Sequence, residues 1–284
     1  MANALATCLL DGALLPTSAA RISPLDRGFL FGDGIYEVVP CYGGKPFRLQ
    51  AHFDRLQAGL DALGIPNPYP RARWAELISE LIAANGGGDM GIYLEVTRGA
   101  GEGRDFLPDL DMEPTVFGFC WRLAPARPEH GITAVTLEDI RWLRCDIKSI
   151  ALLAPVMLRM ESKRRGADEA ILVREARLAE GSSSAVFVVN DGHIGTPPAS
   201  HERLPSITRL AVGDVLVALG LPLRVREMHR DELYTADEIW IASSTREVVP
   251  VTLLDGRAVG TGKPGPIWRR VLDAYQALKK REAA

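Results

Sequence analysis

The stretch Ala124-Pro125-Ala126-Arg127-Pro128 sets two prolines three residues apart. Proline cannot donate a helix or ladder hydrogen bond, so no helix interior or central strand runs through such a stretch. It reads as an interdomain linker. A chain of 284 residues is also too long for one small core. The expected organisation is therefore a smaller N-terminal α/β domain over residues 1–122, a linker over 123–130 and a larger C-terminal domain over 131–284.

On the N-terminal side, Ala6 to Leu10, Asp11-Gly12 and Ala13-Leu14-Leu15 predict a hairpin with a tight turn. Gln50 to Leu63 carries Phe53, Leu56, Leu60 and Leu63 at helical spacing, with Gly64 as a stop. A second helix is predicted over Arg71 to Asn85, and strands over Ile92–Val96 and Thr115–Trp121. Beyond the linker, strands are predicted at Ile132–Leu137, Glu169–Val173, Ala185–Val189 and Glu238–Ala242. Helices are predicted over Ile150–Arg164, Thr208–Leu219 and Pro266–Lys280, and Asn190-Asp191-Gly192 signals a further hairpin. Strands mixed with helices, and no Gly-rich dinucleotide fingerprint, indicate an α+β fold rather than a doubly wound sheet.

The net charge of −3, with scattered basic residues, argues against a nucleic-acid surface but leaves room for an anionic ligand in a local pocket. Cys8, Cys41, Cys120 and Cys145 lie far apart without metal-type spacing and read as buried free thiols. Asp11 interrupts a short apolar run that no basic segment precedes, and no apolar stretch approaches the roughly 20 residues that span a bilayer. The expected location is the cytoplasm.

Chemistry concentrates in a few places. In Arg141-Trp142-Leu143-Arg144-Cys145-Asp146-Ile147-Lys148-Ser149, one lysine lies between Ile147 and the apolar run from Ile150 to Val156. A partly desolvated ammonium among cations loses its proton more readily and becomes a nucleophile. Glu180 stands before Gly181-Ser182-Ser183-Ser184, a loop of N–H and hydroxyl groups. Ile207-Thr208-Arg209 opens a helix whose unpaired N–H groups suit a phosphate, and Ser243-Ser244-Thr245 follows an apolar strand. Arg55 lies one turn beyond His52, and Tyr36 and Val38 face one side of a strand with Glu37 on the other. Each has a plain structural reading as well: a snorkelling lysine, an exposed hairpin acid before a serine turn, an N-cap at Ser206 or Thr208, a turn, a surface arginine and a core tyrosine.

In their order and spacing, from Asp26-Arg27-Gly28 and Gly32-Asp33-Gly34-Ile35-Tyr36-Glu37 to the end of the chain, these pieces resemble one family. It is the fold-type IV pyridoxal-phosphate enzymes, the class IV aminotransferases, and within them the D-amino-acid (D-alanine) aminotransferases. Arg141–Ser149, Glu180–Ser184 and Ile207–Arg209 are the most specific pieces. The resemblance implies a two-domain fold with pyridoxal 5′-phosphate between the domains, and a homodimer in which a loop of one subunit completes the other's site. It implies that Lys148 carries the cofactor as a Schiff base and shuttles the substrate proton, while Glu180 keeps the pyridine nitrogen protonated. Arg55, Ile207, Thr208 and Ser244, with Ser243 beside it, match a phosphate cup. Leu204 matches an apolar residue against the cofactor ring. Tyr36 matches an active-site tyrosine that also helps bind the substrate carboxylate.

One segment departs from the pattern. Relatives acting on D-alanine commonly carry Arg-x-His in the loop that here runs from Arg98 to Pro108. Arg104 supplies the arginine after a one-residue shift, Phe106 stands where the histidine would be, and Arg98 is an alternative cation. Losing one donor weakens carboxylate binding by roughly 1–3 kcal/mol if nothing replaces it. The expected reaction is ping-pong transfer of an amino group from a D-amino acid, D-alanine foremost, to a 2-oxo acid such as 2-oxoglutarate. A branched-chain or (R)-amine transaminase, an aminodeoxychorismate lyase and a non-catalytic binder stand as alternatives, the last opposed by the presence of both Lys148 and Glu180.

Overall fold

A computed structural model describes residues 3–109, 111–124 and 128–283, so 125–127 of the predicted linker lie outside the described residues. The chain divides into two compact units.

The first unit begins with β1 (Thr7–Leu10) and β2 (Ala13–Pro16). Asp11 and Gly12 between them have φ of 47° and 82°, the left-handed pair that a two-residue hairpin demands. There follow α1 (Arg27–Phe31), β3 (Gly34–Tyr42), β4 (Lys45–Pro46), α2 (Leu49–Leu63), α3 (Arg71–Ala84), β5 (Met90–Thr97) and β6 (Thr115–Arg122). The strands form one antiparallel sheet in the order β2-β1-β6-β5-β3-β4. Phe53, Leu56 and Leu60 of α2, and Trp74, Leu77 and Leu81 of α3, share a buried core with Ile35, Val39, Leu94 and Val96. Strand alternation sends Tyr36, Tyr93 and Phe119 to the other face, where their rings follow one another at 5.6 and 5.2 Å.

A later piece of chain, Ile147–Leu152, belongs to this unit rather than to the predicted C-terminal domain. It lies antiparallel beside the start of β3, with Ile35 opposite Ser149. Tyr36 N–H donates to Lys148 O (3.0 Å) and Ile150 N–H to Gly34 O (3.1 Å). Periodicity predicts a helix from Ile150, but the helix α4 starts at Leu153 and runs to Arg164. Ser149 instead bridges to β3 and Ile150 to Leu152 turn away from the sheet, with Ser149 Oγ accepting from Ala151 N–H at 3.0 Å.

The second unit contains β7 (Ile132–Glu138), α4, β8 (Glu169–Arg174), β9 (Arg177–Gly181), β10 (Ala185–Asn190), β11 (His193–Thr196), α5 (Ile207–Ala218) and β12 (Leu223–Val225). It continues through β13 (Glu238–Ser243), β14 (Glu247–Leu254), β15 (Arg257–Ala258) and α6 (Pro266–Ala283). Its nine strands run β12-β11-β10-β13-β14-β7-β8-β9, with β15 beside β14. The sheet is mixed, since β14, β7 and β8 pair in parallel while β10, β13 and β14 pair antiparallel. Glu238 ties α6 to β13 by accepting from the N–H groups of Ile267 (2.9 Å) and Trp268 (2.8 Å), a carboxylate at a helix start. Asp191 and Gly192, at φ of 50° and 73°, make the predicted β10–β11 hairpin turn. All four cysteines are free and buried, as their spacing suggests. No helix among the described residues is long and apolar enough to cross a membrane.

Candidate active site

Each unit carries part of the predicted residue set. In the first, the strand register brings Lys148 beside Tyr36, and Lys148 Nζ lies 3.9 Å from the centre of the Tyr36 ring. Among the described residues that ammonium has no hydrogen-bond or ion-pair partner. A half-buried amine without an acid to hold its proton is free to react. Tyr36 stacks on Tyr93, whose hydroxyl donates to Glu95. Burial raises the Glu95 carboxyl, the Tyr93 hydrogen bond opposes this, and the charge on Asp26 adds to the rise.

Behind that face, Glu37 points toward α2, as strand alternation requires. Arg55 Nε and Nη2 donate to its two oxygens at 2.7 and 2.8 Å, and His52 Nδ1 lies 2.7 Å from Oε2. Burial pushes the Glu37 carboxyl up, but the Arg55 charge and the bonds from Arg55 and His52 prevail and hold it at about 2. Burial lowers His52 and so favours the neutral ring. Arg55 is thus fixed on an internal acid through a bidentate contact, a partnership that helical spacing alone did not reveal.

The loop after β5 is built on Arg27. Its Nε donates to Asp33 (2.8 Å), and its Nη1 and Nη2 donate to the carbonyls of Asp105 (2.6 Å) and Phe106 (2.9 Å). Arg104 lies over the rings of Phe31 and Phe106 at 5.0 and 5.3 Å and has no acid partner among the described residues. Arg98 is committed elsewhere, bonded to both oxygens of Asp33 and to the carbonyls of Leu63 and Gly64. Of the two cations that the sequence offers, Arg104 alone remains available.

In the second unit, Glu180 is buried at the end of β9. Its Oε1 accepts from Arg141 Nη1, and both its oxygens lie 3.3 Å from the N–H of Leu204. Burial raises the Glu180 carboxyl, while Arg141 and the Leu204 N–H pull the other way. Arg141 in turn grips Asp139 through Nε (2.8 Å) and Nη2 (2.9 Å), and Asp139 also pairs with Arg174 (2.9 Å). In the sequence Arg141 stands only as one of the cations near Lys148. The available signal was Asp139 two residues before it, a carboxylate at the exit of β7.

The helix start at α5 is capped by Ser206, whose Oγ accepts from Arg209 N–H at 3.2 Å. The N–H groups of Ile207 and Thr208 keep no partner among the described residues. Ser243 ends β13 opposite Glu247, and Ser244 follows in the turn, both half-buried. The serine loop differs from expectation. Ser182 and Ser184 are turned onto Glu169, a fully buried acid that also receives Arg246 Nη1 at 2.7 Å. Their hydroxyls serve this internal carboxylate, because a buried charge draws in the nearest donors.

Comparisons with known proteins show the family. The profile of the Amino-transferase class IV family matches residues 34–254. D-alanine aminotransferase from Bacillus licheniformis is 38% identical over 269 residues, covering 94% of this chain and 95% of its own. The branched-chain amino acid aminotransferase of Escherichia coli shares the fold at a TM-score of 0.92, with 24% identity over 99% of this chain and 96% of that one. The T.th. branched-chain enzyme, complexed with N-(5′-phosphopyridoxyl)-L-glutamate, matches at 0.90 with 28% identity over 96% and 93%. The chain belongs to the class IV aminotransferases. It is accordingly a pyridoxal-phosphate-dependent enzyme of fold type IV, with an amino acid and a 2-oxo acid as substrates.

The residues fit that cofactor, unit by unit. Lys148 offers an amine with no competing acid. Glu180 keeps Oε2 with no donor among the described residues but the Leu204 N–H, which leaves it able to accept from a protonated ring nitrogen. The start of α5 presents the N–H groups of Ile207 and Thr208, unpaired among the described residues, as an anion requires.

Proposed function

We propose that this aminotransferase moves the amino group of a D-amino acid, D-alanine foremost, to a 2-oxo acid by ping-pong chemistry, as a cytoplasmic homodimer. The observation that carries this reading is the 38% identity with a D-alanine aminotransferase across 94% of the chain, against 28% for the T.th. branched-chain enzyme. Pyridoxal 5′-phosphate, when bound, supplies the electron sink for charge left on the substrate's α-carbon. Lys148 holds the cofactor through its amine and then moves the proton at that carbon, which its lack of an acid partner suits. Glu180 holds the ring-nitrogen proton, with Arg141 keeping the carboxylate in place. Ile207, Thr208, Ser243, Ser244 and Arg55 hold the phosphate, and Leu204 packs on the ring. Tyr36 orients the amine above its own ring, and Arg104 takes the substrate carboxylate, with no histidine beside it.

A half-reaction screen tests the reading. Yellow, cofactor-loaded protein should lose its visible band with D-alanine and keep it with L-leucine and with (R)-phenylethylamine. A response to either of the latter but not to D-alanine overturns the substrate assignment. Pyruvate released from aminodeoxychorismate would make the enzyme a lyase.

A further inference from the structure

We infer that Glu95 is a specificity-determining residue of this transaminase, one that turns away substrates bearing a second carboxylate and so favours monocarboxylic amino and 2-oxo acids. The placement follows from strand register. Ile35 lies opposite Ser149, so Lys148 comes beside Tyr36; Tyr36 pairs with Glu95, and Glu95 with Phe117. Directly paired residues share one face of a sheet, so Lys148, Tyr36, Glu95 and Phe117 form a row across four extended segments. With strands about 4.8 Å apart, Glu95 stands roughly 10 Å from the lysine along that row. A small substrate whose reacting carbon lies within reach of Lys148 spreads its substituents over Tyr36 and toward Glu95.

The side chain is poised to discriminate. Glu95 is half-buried and forms no ion pair among the described residues, its one hydrogen bond being the donation from Tyr93. Among the described residues no cation is placed to neutralise it; burial and the charge on Asp26 raise its carboxyl, while the hydrogen bond from Tyr93 supports the charged form. Tyr93, fixed by its stack on Tyr36, holds the carboxylate against the wall. A second carboxylate arriving there meets a like charge in a partly desolvated setting. The uncharged side chain of a monocarboxylic substrate meets no such repulsion. The resemblance names 2-oxoglutarate as an acceptor, whereas this wall argues for a pyruvate-like one.

The inference rests on Lys148 as the reacting amine, and the test separates the two. With a common amino donor other than alanine that the wild type accepts, the ratio of kcat/KM for 2-oxoglutarate over pyruvate should rise about tenfold in Glu95→Gln. Binding read apart from turnover should follow. Spectral titration with glutarate and propionate should show glutarate gaining affinity relative to propionate by a similar factor. Glu95→Asp, which keeps the charge but draws it back, should move both ratios the same way by a smaller factor and stands in if the glutamine variant folds poorly. Unchanged ratios in both variants overturn the role of Glu95. Turnover retained by Lys148→Ala overturns the reading of the site itself, whatever Glu95 does.

Discussion

Lys148 and Glu180 show how much a single side chain reveals only through its neighbours. Lys148→Ala should lower transamination by at least roughly 10³-fold. Borohydride should fix the cofactor to a peptide containing Lys148 in the wild type, as mass spectrometry would read, and retained turnover in the variant would remove its proposed role. Arg141→Ala leaves Glu180 buried without its cation, so it should cost about 3–5 kcal/mol in chemical denaturation and weaken cofactor uptake. A change under about 1 kcal/mol would mean that solvent reaches Glu180. Both candidate residues stand in local sequence patterns that also have plain structural readings, and it is the order and spacing of all the pieces, resembling one family, that singles them out. Their partners were not legible in the sequence. Arg141 lies 39 positions from Glu180, and Glu37 meets Arg55 from another element. Pairing across such separations depends on sheet register, which no local window contains.

At the level of elements, strands and helices predicted from periodicity stand within a few residues of those observed, since alternation and helical spacing follow from burying one face. Ile150–Leu152 depart from the predicted helix for the same reason. An apolar run fits a helix as well as a strand, and only the open start of β3 decides which forms. The loop after β5 is positioned by Arg27 and by Arg104 lying over the rings of Phe31 and the exposed Phe106. Arg104→Ala should raise the KM for D-alanine about tenfold with the cofactor retained. An unchanged KM would place carboxylate recognition elsewhere. Glu169 joins the first residues of β8 to the serine loop and to Arg246 after β13. Glu169→Ala strands those donors and should lower the thermal midpoint together with cofactor affinity. A variant as stable and as yellow as the wild type would show the junction to be idle.

For the molecule as a whole, acid should be the weak side. Glu37 binds its proton at about 2 when folded against 4.5 ordinarily, so the unfolded chain takes up protons first and stability falls as pH drops through that window. His52, held neutral by burial, begins the loss as pH falls below 6.5. The Glu37 contribution is on the order of 3 kcal/mol. Denaturation midpoints measured from pH 7 downward should therefore decline more steeply in the wild type than in Glu37→Gln, and parallel curves would refute the assignment. The segment Ile147–Leu152 lies more than a hundred residues after the strand it bridges. It is made long after the sheet it completes, so a nascent chain emerges from the ribosome with the Gly34–Tyr36 edge of β3 bare. An open edge invites foreign strands. During synthesis the first unit must wait for the lysine segment, and the residue proposed to do the chemistry is also the one that closes the sheet.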